Sequence, residues 1–173
     1  MLFYSRIYIC FCFLFLSGCG FQPIFGKGGE TITKSEMKNI EISPIANRLG
    51  QQLRNYLVQD LNPFGRPRNT KFLLKVVLGE SKQNLAIKKS EIATRANLTF
   101  VATYSIIQKS SGVVLTKGTS HMITSYNILP QTFGTIMAEK NARARAVREI
   151  SADLTNKIAS FFRLNKKVAK QTE

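Results

Sequence analysis

Cys10, Cys12 and Cys19 are the only thiols in this chain of 173 residues, and His121 is its only imidazole. Those four side chains bound the available chemistry. Beyond Cys19 there is no pair of cysteines for an intrachain disulfide and no thiolate set for zinc. One histidine cannot build a histidine-rich metal centre, and no Ser-His-Asp constellation surrounds His121, which falls in an alternating, strand-like stretch. It reads most simply as a surface or edge residue. Gly26-Lys27-Gly28-Gly29 has the wrong spacing for a phosphate-binding loop, and no helical pattern follows it. Neither catalysis nor a resident metal or cofactor is expected. What remains is the chemistry of Cys19 and of the cations: 25 Lys and Arg stand against 10 Asp and Glu, a formal charge of +15. With 44% hydrophobic residues the chain is not a disordered polycation.

The surroundings of Cys19 give its thiol a role. Met1 to Arg6 form a short basic start, and Ile7 to Leu16 (IYICFCFLFL) a ten-residue apolar run. A helix needs roughly 20 residues to cross ~30 Å of hydrocarbon, so this run fits a secretory signal better than a membrane span. Leu16-Ser17-Gly18-Cys19 then resembles the bacterial lipobox. Small side chains at Ser17 and Gly18 suit an extended segment in a peptidase, and the Cys19 thiol is the nucleophile that takes up diacylglycerol. Residues 1–18 are therefore expected to be a lipoprotein signal peptide, with Cys10 and Cys12 discarded inside it. The mature chain would begin at an acylated Cys19 (diacylglycerol plus a palmitate-type chain) and carry +14. Two or more chains satisfy the requirement for stable anchoring. Gly20 follows the cysteine, where Asp tends to retain lipoproteins at the inner membrane; Gly20 is compatible with export to the outer membrane.

The elements that must carry the cations follow from periodicity. Residues 19–35 lack a pattern and read as a lipidated tether, and 36–162 as one domain. Ile40 and Ile42 alternate with Glu41 and Ser43 as a short strand. Ile45, Leu49, Leu53, Tyr56, Leu57 and Leu61 form one stripe of a helix of about four turns, stopped by the turn cluster from Asn62 to Pro67. Phe72, Leu74, Val76 and Leu78 mark a second strand, followed by a polar stretch from Glu80 to Ser90. Thr94 to Gln108 alternates over about 50 Å, long enough that it must twist, bend or project beyond the core. Lys109-Ser110-Ser111-Gly112 reads as a hairpin turn, and Val113 to Asn127 as the returning strand. After Pro130 comes a long helix with Thr132 or Thr135 as cap candidates and Val147, Ile150, Leu154, Ile158 and Phe161 as its buried stripe. Residues 163–173 form a basic tail. The order β-α-β-β-β-α predicts an α+β fold: a single mixed sheet of about four strands with two helices packed on one face, the first two strands parallel.

Several stretches on these elements are similar to one known family. They are Cys19-Gly20-Phe21-Gln22-Pro23-Ile24-Phe25-Gly26, Arg48-Leu49-Gly50-Gln51-Gln52-Leu53-Arg54-Asn55, Ser125-Tyr126-Asn127, and Ala138-Glu139-Lys140-Asn141-Ala142-Arg143 with the closing helix. In that order and behind a lipobox, they resemble the lipopolysaccharide-assembly lipoproteins, the LptE family, in its alphaproteobacterial branch. The resemblance implies a non-enzymatic protein at the outer membrane, on the periplasmic side or in a barrel lumen. There it would plug and help assemble an LptD-type β-barrel and bind lipopolysaccharide. Only the lipidated Cys19 carries over residue by residue.

A binder of an anionic amphiphile needs Lys or Arg beside apolar surface. From Arg66 to Lys117 there are ten basic residues and two acids. Lys75, Lys88, Lys89, Arg95 and Lys117 are the lipopolysaccharide-binding candidates, against the plainer alternative of a solvated basic surface. On the last helix, at 100° per residue, Lys140 and Arg143 fall about 20° and 40° to either side of Val147, inside the apolar stripe. The start of that helix therefore overhangs the core or faces a polar partner. Lys140 and Arg143 are candidates for barrel or ligand contact, unless Arg143 simply pairs with Glu139. Polar barrel lumens suit such a domain. The charge would also attract nucleic acid, but the export signal and the lack of an aromatic stacking set argue against that partner. Another envelope lipoprotein, an accessory of a transporter or secretion system, is the remaining alternative.

Overall fold

A computed structural model of the chain describes residues 37–62, 65, 69–87 and 93–171. Six elements follow in the order β1 (Ile40–Ile42), α1 (Asn47–Leu61), β2 (Phe72–Ile87), β3 (Ala93–Gln108), β4 (Val114–Asn127) and α2 (Thr132–Gln171). The strands form one mixed sheet in the order β1-β2-β3-β4, and the two helices lie on one of its faces. The fold is the α+β arrangement that the hydrophobic periodicity predicts. β1 runs parallel to β2, with Ile40 opposite Phe72, because α1 carries the chain back over the sheet between them. The other two pairings are antiparallel.

The alternation along the strands settles which face is covered. Ala96, Leu98, Phe100, Ala102, Tyr104 and Ile106 on β3 are buried, as are Leu74 and Val76 on β2. Against them pack Leu53, Leu57 and Leu61 of α1 and Val147, Ile150, Leu154 and Ile158 of α2, each repeating at helical spacing. Phe100, near the middle of β3, is fully buried in this core.

The turn from β1 into α1 is held by two side chains of that helix and by the residue that caps its end. Gln51 Nε2 donates to the Ile45 carbonyl at 2.6 Å, Arg54 Nε to the Ile42 carbonyl at 3.2 Å, and Asn62 Nδ2 to the Ile40 carbonyl at 3.1 Å. Ile45 itself precedes the helix, and its buried side chain fills the corner. The stretch from Arg48 to Asn55 is thus a latch for the first crossover.

Three boundaries differ from the periodicity. β2 does not end near Leu78 but continues to Ile87, because β3 offers it paired backbone along its whole length, from Gln108 opposite Phe72 to Ala93 opposite Ile87. The long strand therefore becomes one arm of a hairpin that outruns the apolar core. At the start of α2, Thr132 is the first helical residue, and the Thr135 hydroxyl reaches back. It accepts from the Leu129 amide at 2.8 Å and donates to the Leu129 carbonyl at 3.1 Å. At its other end α2 runs past Phe162 to Gln171.

Candidate functional site

The sheet face turned away from the helices carries the opposite parity of each strand, and the register lines these residues up in rows. Lys75 of β2 lies opposite Ser105 of β3, which lies opposite Lys117 of β4. The next rows are Val77–Thr103–Thr119, Gly79–Val101–His121, Ser81–Thr99–Ile123, Gln83–Asn97–Ser125 and Leu85–Arg95–Asn127. At a strand spacing of about 4.8 Å, the backbones that carry Lys75 and Lys117 are about 10 Å apart, with a hydroxyl between them. Arg95 anchors the far end of the face, its Nη2 donating to Ser125 Oγ at 2.6 Å.

Two features make this face unusual among the surfaces described. Val77 and Ile123 are 72% and 64% exposed although both are β-branched strand residues. The six rows from Lys75 to Asn127 contain no Asp or Glu; in the neighbouring row Glu41 of β1, opposite Leu73, stands on the same face, and its carboxylate is taken by Lys109 at 2.7 Å. The arrangement offers cations, hydroxyls and small apolar side chains on one open surface, which can hold phosphate groups beside hydrocarbon.

Of the candidates named from the sequence, the structure brings Lys75 and Lys117 into one row and places Arg95 on the same face, ten residues along β3 and about 33 Å away. Cys19, Gly20, Lys88 and Lys89 lie outside the described residues. Lys82, in the same basic stretch, belongs elsewhere: its parity turns it toward the helices. There its Nζ lies 5.4 Å from the Tyr126 ring centroid and 3.2 Å from Glu139 Oε2. Lys109 lies at the other end of the sheet, 2.7 Å from Glu41 Oε2. The signal that separates these groups was parity along each strand, and the row partners needed the register as well. His121 points to the open side in the row of Val101. Among the described residues no group of His, Cys, Asp and Glu side chains could hold a metal ion.

The polar partner of the overhanging α2 is the chain's own hairpin. Arg143 Nε lies 2.7 Å from Glu80 Oε1, and Arg143 Nη2 lies 2.7 Å from Glu139 Oε1. Glu80 and Lys82 sit on the helix-facing side of β2, just beyond the last apolar row, and meet the helix where its inward stripe becomes charged. Burial opposes ionisation of Glu139, but the Tyr126 hydroxyl, Lys82 and Arg143 outweigh it and hold the carboxyl below its ordinary pKa. Tyr126 also raises the Lys82 ammonium above its ordinary value; partial burial opposes this and Glu139 adds to it. Arg143 is therefore committed to a clamp between α2 and β2. Lys140 is exposed and lines a shallow groove of about 450 Å³ with Arg48, Leu49, Gln52 and Asn141.

Comparisons with known proteins agree with this architecture. Among solved structures, a protein from Caulobacter crescentus CB15 described as a lipoprotein superposes with a TM-score of 0.61 at 18% identity, covering 75% of this chain and 95% of its own. A minor lipoprotein from Acinetobacter baumannii gives 0.53 at 18% identity, covering 70% and 88%. Lipoprotein B from Nitrosomonas europaea gives 0.55 at 10% identity, covering 70% and 82%. At these identities the likeness is one of fold. No curated protein sequence matches the chain. The model of the family described as LptE, lipopolysaccharide-assembly, matches residues 37–161, from the residues before β1 to the buried end of α2. With the whole sheet and both helix stripes inside that match, the chain belongs to the LptE family of lipopolysaccharide-assembly proteins.

Proposed function

We propose that this chain is a non-enzymatic outer-membrane lipoprotein, anchored through acylated Cys19, that binds lipopolysaccharide on the open face of its sheet. It acts as plug and assembly partner of an LptD-type β-barrel. The observation that carries the ligand assignment is that Lys75, Arg95 and Lys117 share the open sheet face with exposed Val77 and Ile123, while the carboxylate described on that face, Glu41, is taken by Lys109. Lipopolysaccharide joins phosphates to acyl chains, and both find complements there. The lipobox ending in Cys19 and the Gly20 that follows it support the anchor and its destination.

Co-purification in detergent tests the partner: an LptD-type barrel should come down with the chain. Recovery of inner-membrane transporter subunits alone would assign it to a transporter accessory instead. Direct binding of lipopolysaccharide tests the face. Reversing Lys75, Arg95 and Lys117 together to Glu should weaken salt-sensitive binding while leaving the helical signal intact; unchanged affinity would reject this surface. A second triple reversal, of Lys88, Lys89 and Arg95, asks whether the hairpin end contributes. Cys19→Ser should leave the chain unprocessed or free of the membrane, and normal fractionation of that variant would remove the anchor.

A further inference from the structure

β2 is paired along its whole length on one side and over a short stretch on the other. β3 accompanies it from Phe72 to Ile87, whereas β1 lies beside Phe72, Leu73 and Leu74 only. Ser43 N donates to the Leu74 carbonyl, and the chain then leaves the sheet for α1. That bond fixes the parity: the even residues of β2 aim their backbone groups away from β3. From Val76 to Asn84, the amides and carbonyls of those residues meet no described strand.

No described residue blunts this edge. It holds no proline, and its register with β3 is unbroken. Lys82 could reach over it, but Glu139 Oε2 draws its Nζ toward the helices at 3.2 Å. On the opposite edge, by contrast, Lys157 Nζ donates to the Thr119 carbonyl of β4. An open, regular edge is a template for another strand.

The residues along the edge select the occupant, because in one register they complement themselves. A two-fold pair sets the strand antiparallel to its own copy, with even residues opposite even ones. Centred on Ser81, the ladder puts Glu80 opposite Lys82 of the second copy, and Lys82 opposite Glu80. Leu78 and Asn84 pair in the same reciprocal way. On the open face, exposed Val77 meets half-buried Leu85, and Gly79 meets Gln83. A step to either side centres the ladder on Glu80 or on Lys82 and sets like charges directly opposite, which opposes pairing.

We propose that two copies of this chain on a membrane join edge to edge through β2, antiparallel and centred on Ser81. The result is one eight-stranded sheet with both cationic faces on the same side. The four pairs from Leu78 to Asn84 exchange about eight hydrogen bonds. One strand edge buries less than the roughly 1,200 Å² of a stable soluble dimer. A leaflet that gathers copies to an effective concentration on the order of millimolar supplies the remainder. The setting rests on the Cys19 anchor proposed above; the pairing does not.

With Cys10 and Cys12 removed and Cys19 acylated, the mature chain has no free thiol, so one added cysteine reports cleanly. Ser81→Cys, in the full lipidated chain in phosphatidylethanolamine/phosphatidylglycerol vesicles, should oxidise mainly to a disulfide dimer. The two-fold puts the Ser81 Cα atoms about 4.5 Å apart, within disulfide range. Gln83→Cys alone should stay monomeric, its copies being displaced by about 13 Å along the strands. Mixed with Gly79→Cys copies it should cross-link; a β-carbon on Gly79 meets only the Val101 carbonyl, at 3.7 Å. His121→Cys, at the β4 edge, is the control for chance collision. Asn84→Pro removes an edge-facing amide without touching the pairing to β3, and should abolish the Ser81→Cys dimer while the helical signal persists.

Ser81→Cys cross-linking no faster than His121→Cys would overturn the inference, as would a Gly79→Cys and Gln83→Cys mixture that stays monomeric. Flotation with the vesicles reads the anchor separately. A chain that floats without cross-linking refutes the pairing alone. One that does not float refutes the anchor, and the same cysteines in the Cys19→Ser chain at about 1 mM then decide the pairing by the same outcomes. In native envelopes, a photo-cross-linker at Ser81 should give an adduct of twice the chain's mass. Adducts with a different protein alone would give the edge to that partner and overturn the inference.

Discussion

Gly50 lies so close beneath Ile45 that a β-carbon on the glycine would meet Ile45 Cγ2 at 2.6 Å and the Ile45 carbonyl carbon at 3.1 Å. Ile45 is itself 2% exposed, closing the corner between β1 and α1. In an open helix, Gly→Ala stabilises by about 1 kcal/mol. Here the sign should reverse, because the added methyl must displace a packed side chain and its backbone. Gly50→Ala is expected to cost about 1–3 kcal/mol in urea denaturation, and Gly50→Val more. A stabilised Gly50→Ala variant would mean that the corner can relax and that the glycine is not a packing requirement.

Arg143 bridges two carboxylates on different elements, Glu80 of β2 and Glu139 of its own helix. All three side chains are partly exposed, so the network is worth only about 1 kcal/mol of global stability. Its larger effect is local. Arg143→Ala should speed hydrogen exchange of α2 amides between Phe133 and Arg143 while leaving those around Ile150 and Leu154 unchanged. Arg143→Lys should recover less than half of the protection, because an ammonium lacks the planar fork that reaches both carboxylates. Uniform protection in both variants would show that apolar packing alone holds the helix end.

Acid should loosen the same region. The folded-state carboxyl of Glu139 is held below its ordinary value; burial pushes it up, but Tyr126, Lys82 and Arg143 prevail. Asp153 is lowered likewise, burial again opposing and Lys157 and Ser120 prevailing. A depressed folded pKa means that the unfolded chain binds the proton first. The stabilisation is therefore present above the unfolded carboxyl range near pH 4 and is lost as pH falls through the folded values. The urea midpoint should drop below about pH 4, and Glu139→Gln should flatten that drop while lowering the midpoint at pH 7. A pH profile identical to the parent's would assign the acid sensitivity to other carboxylates.

Much of this architecture could be read from residue order. The buried sets of β3 and α2 are strict period-2 and period-3.6 patterns, and tertiary packing followed them. The extension of β2 through Glu80 and Lys82 could not be read this way. Those residues alternate polar with polar, and only pairing with β3 makes them a strand. The inward angle of Arg143 did announce a polar neighbour, but its identity depended on that extension. Likewise the basic stretch from Arg66 to Lys117 looks like one cluster in sequence. Strand parity divides it, sending Lys82 to the helices and Lys75 and Lys117 to the open face, and the row through Ser105 exists only once the register is fixed.

Among the described residues β4 ends the sheet, and no other described strand pairs with its outer backbone groups. Such an edge can template pairing with another chain, and an inward-reaching lysine is one way to blunt it. Lys157 of α2 does this here: its Nζ donates to the Thr119 carbonyl at 2.8 Å while Asp153 Oδ2, 2.7 Å away, fixes the ammonium over the strand. Gly118 beside it lies under the Tyr104 ring, where a β-carbon would be 2.9 Å from Cε1, so the strand cannot shift inward to hide its edge. Lys157→Ala should therefore leave stability within about 1 kcal/mol of the parent. It should nonetheless promote concentration-dependent self-association, measured by light scattering on the chain with its anchor removed by Cys19→Ser. Proline at Thr119 on top of Lys157→Ala would then suppress the association if pairing runs through β4. A monomeric Lys157→Ala variant at all concentrations would show that the twist of the strand protects this edge without the lysine.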